Sequence, residues 1–370
     1  MRLIRTSNLE LVEYMGLDVP PYVILSHMWD ADEVTFQDMQ APHLKATQMA
    51  GFKKMEQCAK LATLAGYEYI WIDTCCIDKR SSAELSEALN AMSSWYQGSA
   101  ECFAYLADVP PLGPNGKRGE EGDPFLTSRW FTRGWTLQEL IAPANVRFFA
   151  NNWTEIGTKL DLLDEIHEAT KIDKKVLLNP SCLPDFSVAQ RMSWAATRET
   201  TRVEDKAYCL LGLFGIKMPM LYGEGVRAFE RLQLEIIQTI HDHSIFAWKG
   251  SKDSRENSIL ASSPADFVGC GHLYQGADIS FMTPYSMTNL GLSVKAVISH
   301  FSVNPESDHD RIAFLDCYYE IEDERSWMGI YVRKDFRGRY RRIDHDKLFS
   351  FHSGSVFPSE GFLIEEIFIY

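Results

Sequence analysis

The residues best suited to chemistry fall in one short stretch, Ser128-Arg-Trp-Phe-Thr-Arg-Gly-Trp-Thr-Leu-Gln-Glu-Leu140, which sets a single carboxylate among two tryptophans and two arginines. In a helix, Trp135 and Glu139 share a face while Leu137 and Leu140 anchor the other. A carboxylate beside aromatic planes and a guanidinium suits a ribose or a nucleotide. Trp135 could stack on a ring, and Arg133 could pair a pyrophosphate bidentately. The competing reading is an ordinary amphipathic helix start, with Glu139 solvated or paired to Arg133.

Two further polar-aromatic clusters precede this stretch. Ser26, His27 and Trp29 follow the apolar run Tyr22-Val-Ile-Leu-Ser-His27, and Asp73 to Asp78 follow Tyr67-Glu-Tyr-Ile-Trp-Ile-Asp73. His27 could donate to a phosphate or simply hold its loop. Trp29 could stack on a ring or fill the core. Asp73 could orient a ribose or Arg133, or cap a turn. Cys75 and Cys76, with His27 as base, offer a thiol-hydrolase alternative, although buried thiols are the commoner fate. Gly113-Pro-Asn-Gly-Lys-Arg-Gly119 lacks the spacing and the following hydroxyl of a phosphate-cradling loop.

The elements that must position these groups alternate between strand and helix over 22–150. Short apolar runs at 22–27, 67–73, 102–107 and 145–150 read as buried strands. Between them, Met55, Cys58, Ala59 and Ala62 mark one face of a helix over 47–65 that Gly66 ends. Ser81 and Glu84 form a capping box ahead of a helix carrying Leu85, Leu89, Met92 and Tyr96. A short helix over 132–141 closes at Pro143. The stretch from Val109 to Pro124, with four prolines and four glycines, reads as a loop and a candidate lid. Strands separated by helices imply parallel pairing, with ligands at the carboxyl ends of the strands. All three clusters then fall on one sheet edge. Segments 161–170, 188–197, 203–214 and 224–240 read as helices. From Ser244 onward, runs at 244–248, 290–298, 311–319 and 328–332 predict a small antiparallel β domain.

The bulk numbers narrow the class. At 370 residues, 45% hydrophobic and 24% charged, the chain is a folded protein of two domains with no apolar run long enough to span a membrane. A net charge of −14 argues against a general nucleic-acid binder. The local basic patch Arg333-Lys-Asp-Phe-Arg-Gly-Arg-Tyr-Arg-Arg342 could suit an anionic partner, but it also reads as a solvated hairpin turning at Gly338. The N-terminus does not read as a secretory signal, which predicts a cytoplasmic protein. The eight cysteines form no CxxC pair, so reduced thiols and no metal site are expected.

Four segments together resemble the fungal HET (heterokaryon incompatibility) domain. They are Tyr22-Val-Ile-Leu-Ser-His-Met-Trp29 with Glu33-Val-Thr-Phe-Gln-Asp38, Trp71-Ile-Asp-Thr-Cys-Cys-Ile-Asp-Lys79, Ser86-Glu-Ala-Leu-Asn-Ala-Met-Ser-Ser-Trp-Tyr96, and Trp130-Phe-Thr-Arg-Gly-Trp-Thr-Leu-Gln-Glu-Leu140. Tyr222-Gly-Glu-Gly225 extends the resemblance to about residue 240, and Asp30 departs from it where glycine is common. HET domains are in turn distantly similar to TIR domains. The resemblance implies a TIR-like parallel sheet flanked by helices over about 22–150, a helical extension over 151–240 completing a domain of 1–240, and a smaller β-rich domain over 241–370. It also implies a role in fungal nonself recognition leading to programmed cell death, self-association on activation, and a nonself-recognition partner protein. Several TIR domains cleave NAD+ with one glutamate on the helix after the third strand, which makes Glu139 the implied catalytic residue. Ser26, His27, Trp29, Asp73, Arg133 and Trp135 would be its substrate-binding neighbours, with NAD+ as substrate and no resident cofactor. The alternative is a non-enzymatic signalling adaptor that acts by homotypic self-association.

Overall fold

The computed structural model describes residues 1–16, 18–40, 49–112, 119, 122–250, 258–276, 283–299, 302–303, 307–321, 324–352 and 362–370. Half of the Pro/Gly-rich stretch, the candidate lid, therefore lies outside the described residues. The chain divides into two compact units, one of residues 1–182 with 209–220 and one of residues 183–208 with 221–370. Residue 240 is thus not where the units part. The stretch 151–240 is shared between them.

The first unit is built on a seven-stranded sheet. Its strands are β1 (Arg2–Arg5), β2 (Leu11–Glu13), β3 (Val23–His27), β4 (Tyr69–Trp71), β5 (Glu101–Tyr105), β6 (Val146–Phe149) and β7 (Glu155–Thr158), in the order β2-β1-β4-β3-β5-β6-β7. The four central strands are parallel, as the alternation of strand and helix implies. Every residue of β3 is buried, as expected for a central strand covered on both faces. The antiparallel N-terminal hairpin β1–β2 adds to β4, and β7 closes the other edge.

Helices α1 (Phe36–Gln40), α2 (Ala50–Leu64), α3 (Asp73–Cys76), α4 (Ser82–Gln97), α5 (Thr136–Ile141), α6 (Leu163–Thr170) and α7 (Lys174–Leu178) complete this part of the chain. The α2 stripe of Met55, Cys58, Ala59 and Ala62 is buried, and Gly66 follows with φ +89°. Ser81 caps α4 by accepting the Glu84 amide. The Glu84 carboxylate serves Arg2 and the Asp78 amide, so it anchors the N-terminal hairpin.

The expected helix over 203–214 is two short ones. α9 (Asp205–Tyr208) belongs to the second unit and α10 (Leu211–Phe214) to the first. The second unit also holds α8 (Val188–Ser193), α11 (Arg227–Thr239) and strands β8 (Leu273–Gln275), β9 (Ser286–Thr288), β10 (Gly291–Ser299), β11 (Asp310–Ile321), β12 (Glu324–Lys334), β13 (Tyr340–Arg342), β14 (Phe349–His352) and β15 (Phe362–Ile369). Pairings β10–β11, β11–β12, β12–β13, β13–β15 and β15–β10 close on themselves, and only β13–β15 is parallel.

Two expectations for this unit are corrected. Residues 244–248 do not form a strand: His243–Phe246 is a 3-10 turn. The Asp242 carboxylate accepts the Ser244 and Val188 amides, and the Ser244 hydroxyl accepts the Ala189 amide, so this backbone is tied into α8 rather than a ladder. The basic patch does turn at Gly338 (φ +79°), but Arg342 is 0% exposed. Its guanidinium stacks on Trp248 at 3.8 Å and donates to the Phe246 and Trp248 carbonyls.

Candidate functional site

The carboxyl ends of β3 and β4 and the helix after β5 meet at one edge of the parallel sheet, where two polar constellations form. The first contains Glu139. Residues 129–132 make a 3-10 turn capped by Ser128, and this turn buries Trp130. The Thr136 hydroxyl donates to the Trp130 and Arg133 carbonyls and starts α5. At the other end, the Lys159 ammonium donates to the carbonyls of Leu140 (3.3 Å) and Pro143 (2.6 Å). A buried lysine thus satisfies acceptors that a helix end leaves without intrahelical partners. All six residues of α5 are buried, so this helix has no solvent face. Glu139 is 8% exposed. Its carboxylate accepts the Ser26 hydroxyl, and Ser26 Oγ in turn accepts Trp130 Nε1 at 2.9 Å.

This environment changes the acid. Burial pushes the Glu139 carboxyl up from 4.5 to about 7. The Ser26 hydroxyl and the Tyr96 side chain favour the anion and pull the other way, while the charge of Asp73 adds to the rise.

The second constellation surrounds His27. Its Nε2 lies 3.3 Å from Asp73 Oδ1, which also accepts Trp29 Nε1 at 3.3 Å. Lys79 donates to the other Asp73 oxygen at 3.1 Å and sits over the Trp29 ring at 3.5 Å. Lys54 of α2, itself buried, reaches His27 Nδ1 (3.2 Å), the Met28 carbonyl (3.3 Å), Asp30 (3.0 Å) and Glu33. Burial disfavours charge on the His27 ring, but its hydrogen bonds to Asp73 and Glu33 outweigh this and raise its pKa. Burial likewise opposes the Asp73 anion, yet Lys79 and His27 hold that carboxyl far below its usual range. Glu33 is drawn down to about 2 against its burial, chiefly by His27 and also by Lys54.

Ser26 and His27 are consecutive in β3, so their side chains leave opposite faces of the sheet. Ser26 meets α5 and His27 meets α2. The structure therefore groups Glu139 with Ser26, and His27 with Trp29 and Asp73, as two constellations rather than one. They remain coupled, since the charges of Asp73 and His27 both act on Glu139. Arg133 and Trp135 lie half-buried on the turn entering α5. Trp29 is 60% exposed, more open to a ligand than the half-buried Trp135 or the buried Trp130.

Sequence reasoning passed over Trp130, Glu33, Lys54 and Lys79. Lys54 did carry a signal, because it precedes Cys58 by four residues and so interrupts the apolar stripe of α2. The thiol alternative loses its nucleophile here. Cys75 is buried, donates to the Val34 carbonyl at 3.3 Å and is pushed up to about 12, and burial raises Cys76 well above its usual value too. All eight cysteines are free, and among the described residues no cluster of metal-ligating side chains occurs.

Residues 22–111 match the family model of the heterokaryon incompatibility protein (HET). The chain carries a HET domain. The matched span holds Ser26, His27, Trp29 and Asp73, whereas Arg133, Trp135 and Glu139 lie C-terminal to it. A second model, of a domain of unknown function (DUF8212), matches residues 227–265. The HET-domain chain is 46% identical over 226 residues to the vegetative incompatibility protein HET-E-1 of Podospora anserina. That alignment covers 59% of this chain and 16% of the relative, so the chain corresponds to a small part of that protein's length. No solved structure matches the chain. Tyr222-Gly-Glu-Gly225, part of the resemblance, is a turn in the second unit. There Glu204 accepts the amides of Gly223 (2.8 Å) and Gly225 (3.1 Å), and both glycines have positive φ.

Proposed function

We propose that this protein is a heterokaryon incompatibility effector whose HET domain cleaves NAD+, with Glu139 as the catalytic residue. The reading rests on one observation above the others: a buried carboxyl at the carboxyl edge of a parallel sheet, bonded by the Ser26 hydroxyl, which itself accepts Trp130 Nε1, and balanced near neutral pH. The reaction breaks the bond between ribose C1′ and the nicotinamide nitrogen, adds water at C1′, and releases neutral nicotinamide, ADP-ribose and a proton. Because the leaving group departs neutral, no acid need protonate it. The ionised Glu139 would face the oxocarbenium-like transition state in a site of low dielectric, where a fixed charge is worth most. The exposed Trp29 ring with Lys79 above it supplies a stacking plane and a cation for the nucleotide. In the resting arrangement the carboxyl is enclosed, so turnover requires an activated state in which Glu139 becomes accessible.

That enclosure favours a second reading, in which Glu139 only fixes α5 and the HET domain signals by homotypic self-association. Nicotinamide release from NAD+ by the concentrated, self-associated protein, measured beside Glu139→Gln, separates the two. Release that the variant loses supports catalysis. No release, with cell death retained in the variant, sinks it in favour of the adaptor.

A further inference from the structure

We propose that the β12–β13 hairpin is a docking element for an anionic membrane surface, with Phe336 entering the headgroup layer and the surrounding basic side chains meeting lipid charge. This inference is independent of NAD+ cleavage and concerns the second unit alone.

The chain has a net charge of −14, yet residues 333–342 hold six Lys and Arg against one Asp. Only some of these cations serve the fold. Arg333 is bidentate to the buried Asp310 (2.6 and 2.9 Å), Arg339 pairs with Asp335, and Arg342 is buried on Trp248. Lys334 and Arg337 are exposed and Arg341 is half-buried. At the apex, Phe336 is 92% exposed, with the Arg337 guanidinium 5.2 Å from its ring centroid.

A large aromatic side chain left in water calls for an explanation, and a loose loop does not supply one. The Asp335 carboxylate accepts the amides of Arg337 (2.8 Å) and Arg339 (2.9 Å), the Asp335 amide donates to the Arg339 carbonyl (2.7 Å), and Gly338 supplies the positive φ. The turn is thus built to hold Phe336 outward. An outward aromatic ringed by cations is the composition of an interfacial anchor. The ring gains by leaving water, and the cations gain from the negative surface potential.

Two features narrow the partner. A cavity of about 230 Å³ at the base of the hairpin is lined by His309, Arg311 and Lys334 but also by Asp308 and Glu365. Its mixed charge does not suit one particular anionic headgroup, so the recognition is of surface charge. A single aromatic at an apex also suits insertion into a layer better than stacking along a nucleic-acid strand, which needs a track of rings and cations.

The test is cosedimentation of the full chain with vesicles of phosphatidylcholine alone, or mixed with phosphatidylserine or phosphatidylglycerol. The comparison uses Phe336→Ser and the double variant Arg337→Glu/Arg341→Glu. Binding to both anionic mixtures and not to phosphatidylcholine is expected, weakened about tenfold or more by each variant and by raising salt from about 50 to about 300 mM. Unchanged melting of both variants confirms that the fold is intact, since Phe336 is almost wholly in water. Overturning results are no vesicle binding, equal binding to phosphatidylcholine, binding to only one anionic lipid, or binding that survives both variants. Hairpin-dependent binding to RNA or duplex DNA without vesicle binding would assign the hairpin to nucleic acid instead and equally overturn the proposal.

Discussion

Replacing Glu139 by glutamine tests the electrostatics of the site without reference to any substrate. The carboxyl is raised from 4.5 to about 7, chiefly by burial. A folded pKa above the unfolded one means that stability is fully present below the unfolded value and is lost as pH rises through the folded value. That rise corresponds to about 3 kcal/mol in all, of which about 2 kcal/mol falls between about pH 5.5 and about pH 8.5. Glutamine has nearly the same shape and cannot ionise, so the variant escapes this loss. Urea unfolding of both proteins at the two pH values should therefore show the stability of Glu139→Gln, relative to the parent, rising by about 2 kcal/mol towards alkaline pH. A difference that is flat with pH, or that shifts the other way, would refute an enclosed carboxyl poised near neutrality.

Three other perturbations probe the same edge. Ser26→Ala removes a hydroxyl that favours the anion, so the Glu139 pKa should climb above its present value, and in the same titration the loss of stability should continue to higher pH and grow in total. Lys54→Met removes one of the two cationic partners of the enclosed Glu33, His27 being the other, and should cost up to about 3 kcal/mol at neutral pH, less as Glu33 protonates; equal melting of variant and parent would count against the cluster. Asp73 and Glu33 both have depressed pKa values, so their stabilisation is present above the ordinary carboxylate range and is lost as pH falls towards about 2. Asp73→Asn should flatten that acid limb in pH-dependent melting, and an unchanged limb would contradict the assignment.

Much of the frame was legible in the residues. The apolar runs of β3 and β6, the stripe of α2, the Ser81 cap and the positive-φ glycines at 66 and 338 are local signals. Each depends on a period or a backbone preference that a few neighbouring residues express. The N-terminal hairpin escaped because β1 and β2 are four and three residues long and take their place through pairing with each other and with β4. The 3-10 turn at His243–Phe246 escaped because its backbone partners come from α8, more than fifty residues away.

The sequence by itself determined the strand–helix alternation, hence the parallel sheet and the edge at which Ser26, His27, Trp29, Asp73 and Glu139 gather, and its motifs carried the HET assignment. Tertiary structure decided the state of those groups. Ser26 and Glu139 are 113 residues apart, and Lys54 meets His27 across 27. Whether a carboxyl stays ionised depends on the water excluded around it and on charges brought within a few ångströms, and neither quantity is encoded in local spacing. Glu139 could therefore be read from the chain as a helix acid, but its burial, its partner and its shifted protonation exist only once α5 is packed against β3.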